Sequence, residues 1–260
     1  VANSKYKLVG AQKYEKIKSW IEKMSLKNKV LMKIENYQEG IIIERINRFV
    51  VKSKIKKKTI LAHLNNTGRL KEFIRKGKIG LFLPIENKNK LKFRLSMVKE
   101  SKNIYSIIDT SLQMKCFETS LEKGLISWLK EAKILKRNFK INNSLIDYLI
   151  EQKNKKYLLE IKSAVMKYKN FAMYPDCPSV RGQRQIKELI NNYQNSIILF
   201  IAAMRNIIAF SPNKNADPKI YELLKIAKNK GVKIKAIQIY FDKRVNSIIL
   251  KNDSLPINLR

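Results

Sequence analysis

Apolar and polar positions divide the chain into stretches with different periods. From Gly40 onward the apolar residues come in short runs bounded by turn chemistry: residues 41–43, 49–51, 59–62, 78–83 and 91–97. Runs of this length, rich in Ile, Val, Phe and Leu, predict β-strands. A basic turn over residues 52–58 and the cluster Asn65-Asn66-Thr67-Gly68 separate them. Several short strands within about 60 residues predict a small β-barrel, and an oligonucleotide-binding (OB) type barrel has that size. The pattern alone does not separate it from other small β-domains. Upstream, residues 1–35 read as a Lys-rich extension. Within it Ile17, Trp20, Ile21 and Met24 recur at i, i+3, i+4 and i+7, the spacing of an amphipathic helix. The spacing assigns that helix no function.

After Ser101 the period changes. Residues 115–132 predict a helix, and residues 145–150 and 157–165 predict strands joined by a polar turn at 151–156. Residues 181–193 predict a second helix with Ile186, Leu189 and Ile190 on its apolar face. A buried strand at 197–203 and a helix at 218–230 stopped by Gly231 follow, then a last strand at 232–241. The fold class expected is mixed α/β: an extension (1–35), a β-barrel (36–100) and an α/β domain (101–260). Trp20 and Trp128 are expected to pack.

Charge narrows the function. Lys and Arg number 55 against 21 Asp and Glu, a formal charge of +34. Basic side chains that displace counterions from a polyanion gain affinity by releasing them, so nucleic acid is the first partner to consider. Lysines spread along the whole chain also fit a merely solvated surface. One histidine, His63, and two cysteines, Cys116 and Cys177, exclude a disulfide framework and a four-ligand zinc site. Any metal must be held by carboxylates, which points to Mg²⁺ or Mn²⁺. The longest apolar run, residues 197–204, ends at Arg205 and falls short of the roughly 20 residues of a membrane span. The first residues carry no apolar signal core, so a cytoplasmic location without a membrane partner is expected.

The chemistry centres on Asp147, Glu160 and Lys162. Twelve residues separate the two acids. A hairpin centred between Lys153 and Asn154 sets Asp147 opposite Glu160, where side chains on one face stand about 4.5–5.5 Å apart at Cβ. Period-two alternation puts Lys162 on the same face. Two facing carboxylates in an apolar strand pair repel unless a cation lies between them. A divalent ion there can activate water and polarise a phosphoryl oxygen, and Lys162 can orient or deprotonate that water or stabilise charge on the phosphate. The plainer alternative is an acidic pair bridged to Lys162.

The order helix–strands–helix–strand with Asp…Glu-x-Lys on a hairpin resembles the PD-(D/E)xK nuclease superfamily. Four segments together resemble the sugar fermentation stimulation protein A family more narrowly. They are Ala62-His63-Leu64-Asn65-Asn66-Thr67-Gly68, Leu145-Ile146-Asp147-Tyr148-Leu149, Leu159-Glu160-Ile161-Lys162, and Tyr174-Pro175-Asp176 with Arg181-Gly182-Gln183. The match in order and spacing runs from about residue 39 to 239. The resemblance implies an N-terminal OB-type barrel, a PD-(D/E)xK-like domain and DNA binding. The nuclease-type resemblance also implies a helix glutamate in the metal shell, which would be Glu118, with Glu122 the competing choice; the plainer reading of Glu118 is a surface or first-turn glutamate complementing the helix N-terminus. Where the family usually carries a His, this chain has Gln185.

The remaining candidates carry two readings each. Asp176 either binds metal through water or ties its loop. Arg181, Gln183 and Arg184 open a helix and suit phosphate, although Arg181 could pair with Asp176 instead. His63, Asn66, Thr67 and Gly68 either face DNA or build their own turn, Gly68 by supplying a positive φ. Arg45, Arg48, Lys52, Lys54 and Lys56 could line a backbone groove beside Phe49, which could stack on a base or join the core. Asp147, Glu160 and Lys162 would then form a metal-dependent nuclease site acting on single- or double-stranded DNA with little sequence specificity. The alternatives are a non-catalytic DNA-binding regulator of sugar-utilisation genes and an RNA-binding or RNA-processing protein. A homodimer would suit double-strand cutting, but nothing in the sequence requires one.

Overall fold

The computed structural model describes residues 29–85 and 91–259. The helix expected at residues 14–24, with Trp20, lies outside the described residues. Five strands build the barrel: β2 (Gln38–Arg45), β3 (Val50–Ile55), β4 (Lys58–His63), β5 (Ile79–Pro84) and β6 (Phe93–Ser101), in the order β4-β3-β2-β5-β6. A parallel bridge between His63 and Arg94 joins β4 to β6 and closes it. Closure removes the exposed edges that a small open sheet would leave.

The barrel continues into the second domain without a linker. Strand β6 turns directly into β7 (Ile104–Ile107), so a hairpin spans the expected boundary at residue 100. Strand β1 (Val30–Lys33) pairs with β16 (Ser247–Asn252) near the C-terminus. Residues 30–33 therefore belong to the C-terminal sheet, which corrects the extension drawn over 1–35. One buried cluster runs from Ile42, Val51 and Leu95 in the barrel to Phe200 and Ile237. The two domains share a core.

The second domain comprises α1 (Thr110–Glu122), β8 (Lys133–Ile141), β9 (Ser144–Gln152), β10 (Lys155–Ser163), β11 (Met166–Tyr168), β12 (Phe171–Tyr174), α2 (Val180–Asn191), β13 (Ser196–Ala202), β14 (Ala209–Pro212), α3 (Pro218–Asn229), β15 (Lys233–Asp242) and β16. Its main sheet runs β7-β15-β13-β10-β9-β8, and β11, β12 and β14 form a separate small sheet. Strand β13 is parallel to both neighbours and buried along its whole length, hence its unbroken apolar run. Helix α1 packs on β1, β7 and β10, and α2 on β9, β13 and α3.

The extent of α1 and the presence of β8 depart from expectation for local reasons. Helix α1 covers 110–122, not 115–132, because Gly124 takes φ +63 and ends it, leaving a 3₁₀ turn at Ser127–Leu129. Its start is set by Asp109, whose carboxylate accepts the N–H groups of Ser111 and Leu112. Strand β8, KILKRNFKI, has no predicted counterpart. It is a sheet edge with mostly exposed side chains, so it lacks the apolar alternation that marks a half-buried strand.

Candidate functional site

The β9–β10 hairpin positions the acids. Its ladder runs from Lys155↔Gln152 to Leu159↔Tyr148, and one further step of that register sets Asp147 opposite Glu160. At that step the carboxylates take over the hydrogen bonding. The Asp147 N–H donates to Glu160 Oε2 (3.1 Å), and the Ile161 N–H donates to Asp147 Oδ2 (2.8 Å). Lys162 Nζ donates to Glu160 Oε1 and to Gln185 Oε1 on α2, both at 2.7 Å. Gln185 Nε2 in turn donates to the Leu145 carbonyl on β9 (2.8 Å). Glu160 and Lys162 are 2% and 6% exposed.

Burial, and then the charge of Glu160, push the Asp147 carboxyl up to about 7. Burial works to lower the pKa of Lys162, but the surrounding groups, Glu160 foremost, outweigh it and hold the ammonium above its ordinary value. Lys162 is therefore protonated at neutral pH. It can stabilise negative charge, and it is a poor acceptor for the proton of an attacking water. Asp147, Glu160, Lys162, Gln185 and Arg181 line one cavity of about 270 Å³. An adjoining cavity of about 410 Å³ shares Lys162 and Arg181 and extends to Arg48, Asn66, Thr67 and Asp176.

Glu118 is not brought to this cavity. Its carboxylate is held by Arg137 (2.6 and 3.0 Å) and by the Tyr148 hydroxyl (2.9 Å). The Arg137 guanidinium holds it below the usual carboxylate range. Tyr148 lies one position along β9 from Asp147, so alternation sends it, and Glu118 with it, to the other side of the strand. Among the described residues no group of three or more His, Cys, Asp or Glu is placed to hold a metal.

The motif in the barrel ties the elements around the acids together. The Asn66 side chain donates to the Ile108 carbonyl (3.1 Å) and accepts the Gly68 N–H (3.0 Å). Asn65 reaches Asp109 (3.1 Å), and Thr110 donates to the Asn65 carbonyl (2.9 Å). Asp109 also pairs with Arg94 of β6 (2.6 Å). Asp176 accepts the Leu70 N–H (2.8 Å), a loop-tying role, and has no ion pair with Arg181. Gly68 does not adopt a positive φ. It is needed because a Cβ there would stand 2.6 Å from Asp176 Oδ2. Asn66 is 7% exposed and committed to this junction, which leaves it poorly placed to read nucleic acid.

The basic candidates separate into committed and open groups. Arg45 donates to the carbonyls of Asn47, Arg48, Asn66, Gly68 and Arg69 at 2.7–3.5 Å, so it braces the loop and is not open to phosphate. Gln183 gives its amide to both oxygens of Asp217 (3.1 and 3.0 Å), pinning α2 to the start of α3. Lys52 pairs with Glu44 at the surface (3.3 Å). Arg48, Lys54, Lys56, Arg181 and Arg184 are exposed, and His63 is half-buried at the barrel closure. Phe49 is 51% exposed beneath the Arg48 guanidinium, 6.0 Å from its ring centre, so it is not core. Sequence reasoning missed Gln185 as the second anchor of Lys162. The available signal was a Gln on the inward stripe Gly182, Gln185, Ile186, Leu189 of α2. It also missed Asp217, an Asp just before Pro218 that caps α3.

Comparison with known proteins converges on one family. Residues 111–245 match the sugar fermentation stimulation protein RE domain, and residues 43–107 match the SfsA N-terminal OB domain. A sugar fermentation stimulation protein homolog of Pyrococcus furiosus is 42% identical over 215 residues, covering 82% of this chain and 93% of its own. The homolog of Archaeoglobus fulgidus is 38% identical over 229 residues, covering 87% and 98%. The solved structure of Pyrococcus furiosus SfsA in complex with Ca²⁺ superposes with a TM-score of 0.84 at 40% identity, covering 88% of this chain and 99% of that one.

Proposed function

This chain belongs to the sugar fermentation stimulation protein family, and from that premise we propose that it binds DNA and hydrolyses phosphodiester bonds with a divalent cation held by Asp147 and Glu160. The observation that carries the reading is the juxtaposition of two carboxylates and a protonated lysine in one cavity. The residues fit a hard cation. All the donors are oxygen, and the Asp147 carboxyl, pushed up to about 7 by burial and by the facing Glu160 charge, stands where a divalent cation would relieve the repulsion between the two acids. The Pyrococcus furiosus relative was solved in complex with Ca²⁺, which supports reading this chain as able to hold a hard cation.

When bound, a Mg²⁺ or Mn²⁺ ion supplies Lewis acidity and an acidified water. The chain's own residues do the rest. Lys162, locked by Glu160 and Gln185, offers a fixed positive charge to a phosphate in the cavity. Arg181, in the first turn of α2, lines both cavities where a helix N-terminus favours anions. Arg48 and the exposed Phe49 extend a basic, partly aromatic surface from the cavity onto the barrel. The net charge of +34 favours a polyanionic substrate.

The test is incubation of the protein with plasmid, linear and single-stranded DNA and with RNA, in Mg²⁺, Mn²⁺ or EDTA. Cleavage that needs the cation and disappears in Asp147→Ala, Glu160→Ala and Lys162→Ala supports the proposal. Salt-sensitive DNA binding with no cleavage in any cation refutes the enzyme and leaves the second reading, a non-catalytic DNA-binding protein. That reading draws on the short Lys162–Glu160 ion pair, which already neutralises part of the acid pair. Cleavage confined to RNA would reassign the substrate.

A further inference from the structure

We propose that Gln113 supplies a third, neutral oxygen ligand to the cation, a role that rests on reading Asp147 and Glu160 as its carboxylate ligands. Gln113 sits in the first turn of α1 and is 1% exposed. Its Nε2 donates to the Ile107 carbonyl at 2.7 Å. That bond fixes which way the amide faces. The flipped amide would set Oε1 against the Ile107 carbonyl, acceptor against acceptor. Held this way, Oε1 is buried and has no donor among the described residues. Gln113 lines the same cavity as Asp147, Glu160 and Lys162. A buried acceptor without a partner is rare in a folded protein and calls for an ion or a water. Beside two carboxylates, a hard cation satisfies all three groups at once.

The assignment also answers what Glu118 leaves open. The α1 residue that shares a cavity with the acids, Gln113, lies five positions before Glu118 and is uncharged. Three protein oxygens carrying two negative charges suit Mg²⁺, Mn²⁺ or Ca²⁺ and leave coordination positions for water and a phosphate oxygen. They give no soft ligand that would favour Zn²⁺ or Cu²⁺.

The experiment is calorimetric titration of Mn²⁺ into the full chain, wild type against Gln113→Leu and Gln113→Glu, with thermal melts in EDTA and in Mn²⁺. Gln113→Leu is expected to weaken Mn²⁺ about tenfold, the low end for losing a group that supports a metal site. Gln113→Glu places a third carboxylate in the cavity. It is expected to melt lower than wild type in EDTA and to gain more from Mn²⁺ than wild type does. A wild type that takes up no Mn²⁺ overturns the reading of Asp147 and Glu160, and this one with it. A wild type that binds, with both variants binding equally well, overturns Gln113 alone. If Gln113→Leu fails to fold, Gln113→Glu decides, and a Mn²⁺-induced rise no larger than that of wild type overturns the assignment.

Discussion

Replacing Lys162 by Met tests the electrostatic core of the site without reference to activity. Met keeps most of the stem's volume and removes the charge. In the wild type Lys162 Nζ donates to Glu160 Oε1 and Gln185 Oε1, both at 2.7 Å, and the side chains of the pair are 7% and 3% exposed. Removing one partner of a buried ion pair leaves the other charge without compensation and typically costs about 3–5 kcal/mol. Glu160 would be left facing Asp147, a like charge, which keeps the expected value inside that range despite the packing Met retains. For a chain of this size, 3–5 kcal/mol corresponds to a fall in melting temperature of roughly 6–20 °C. Urea denaturation in EDTA measures the effect directly. A double-mutant cycle with Glu160→Gln isolates the pair: the double variant should be less destabilised than the sum of the singles by about 1–3 kcal/mol. A loss under about 1 kcal/mol for Lys162→Met, or additivity within about 0.5 kcal/mol, would refute the claim that this pair is electrostatically coupled.

Three other predictions follow from the surrounding contacts. Burial works to raise the pKa of Asp217, but the hydrogen bonds it accepts from Ser179, Gln183 and Ile220 outweigh it and hold the carboxyl below the ordinary aspartate value. Its contribution is thus fully present above the unfolded pKa of about 3.9 and is lost as pH falls through the folded value, so the stability gap between wild type and Asp217→Asn should be flat above about pH 5 and narrow toward pH 3; urea melts across that range would show a constant gap if the idea is wrong. Gly68→Ala sets a methyl 2.6 Å from Asp176 Oδ2 and should destabilise by about 1–3 kcal/mol, a value that a second substitution, Asp176→Ala, should reduce in thermal melts. Arg181→Ala should lower the slope of log affinity for duplex DNA against log salt by about 0.9, whereas Arg45→Ala should leave that slope unchanged and lower stability by about 2–3 kcal/mol, since its guanidinium serves five carbonyls; equal slopes for the two variants would contradict the division between open and committed arginines.

What the sequence made legible depended on how local its cause was. The Asp147–Glu160 opposition follows from hairpin arithmetic, because a short turn between two period-two runs has one centre. The barrel strands were visible because each is apolar on one face and ends at turn residues. The extent of α1 was not, because residues 123–132 keep a helix-like apolar spacing while Gly124 takes a conformation that ends the helix. Strand β8 was invisible because its partners lie on one side only and its side chains face solvent. The charge of +34 indicated the sign of a partner but not where it docks, since Arg45 and Arg181 look alike in sequence and differ only in what surrounds them.

The least legible residues are the neutral amides, and this has a physical reason. A carboxylate or a lysine in an apolar strand is improbable enough to be noticed alone, since burying a charge without a partner is expensive. A glutamine on a helix is unremarkable until its neighbours are known. Gln185 acquires its role from Lys162, 23 positions away, and from Leu145, 40 positions away. Gln113 acquires its orientation from Ile107, and its unmatched oxygen matters only because the hairpin delivers Asp147 and Glu160 to the same cavity. Charged groups state which chemistry a site performs. The amides around them state where each charge is held, and that information exists only once the chain has folded. Substituting Gln185 should accordingly alter the position of Lys162 before it alters the acids. Gln185→Leu would then lower the response to a phosphate-bearing ligand more than it lowers Mn²⁺ affinity, and calorimetry with each in turn would expose the opposite order if Gln185 acted on the metal directly.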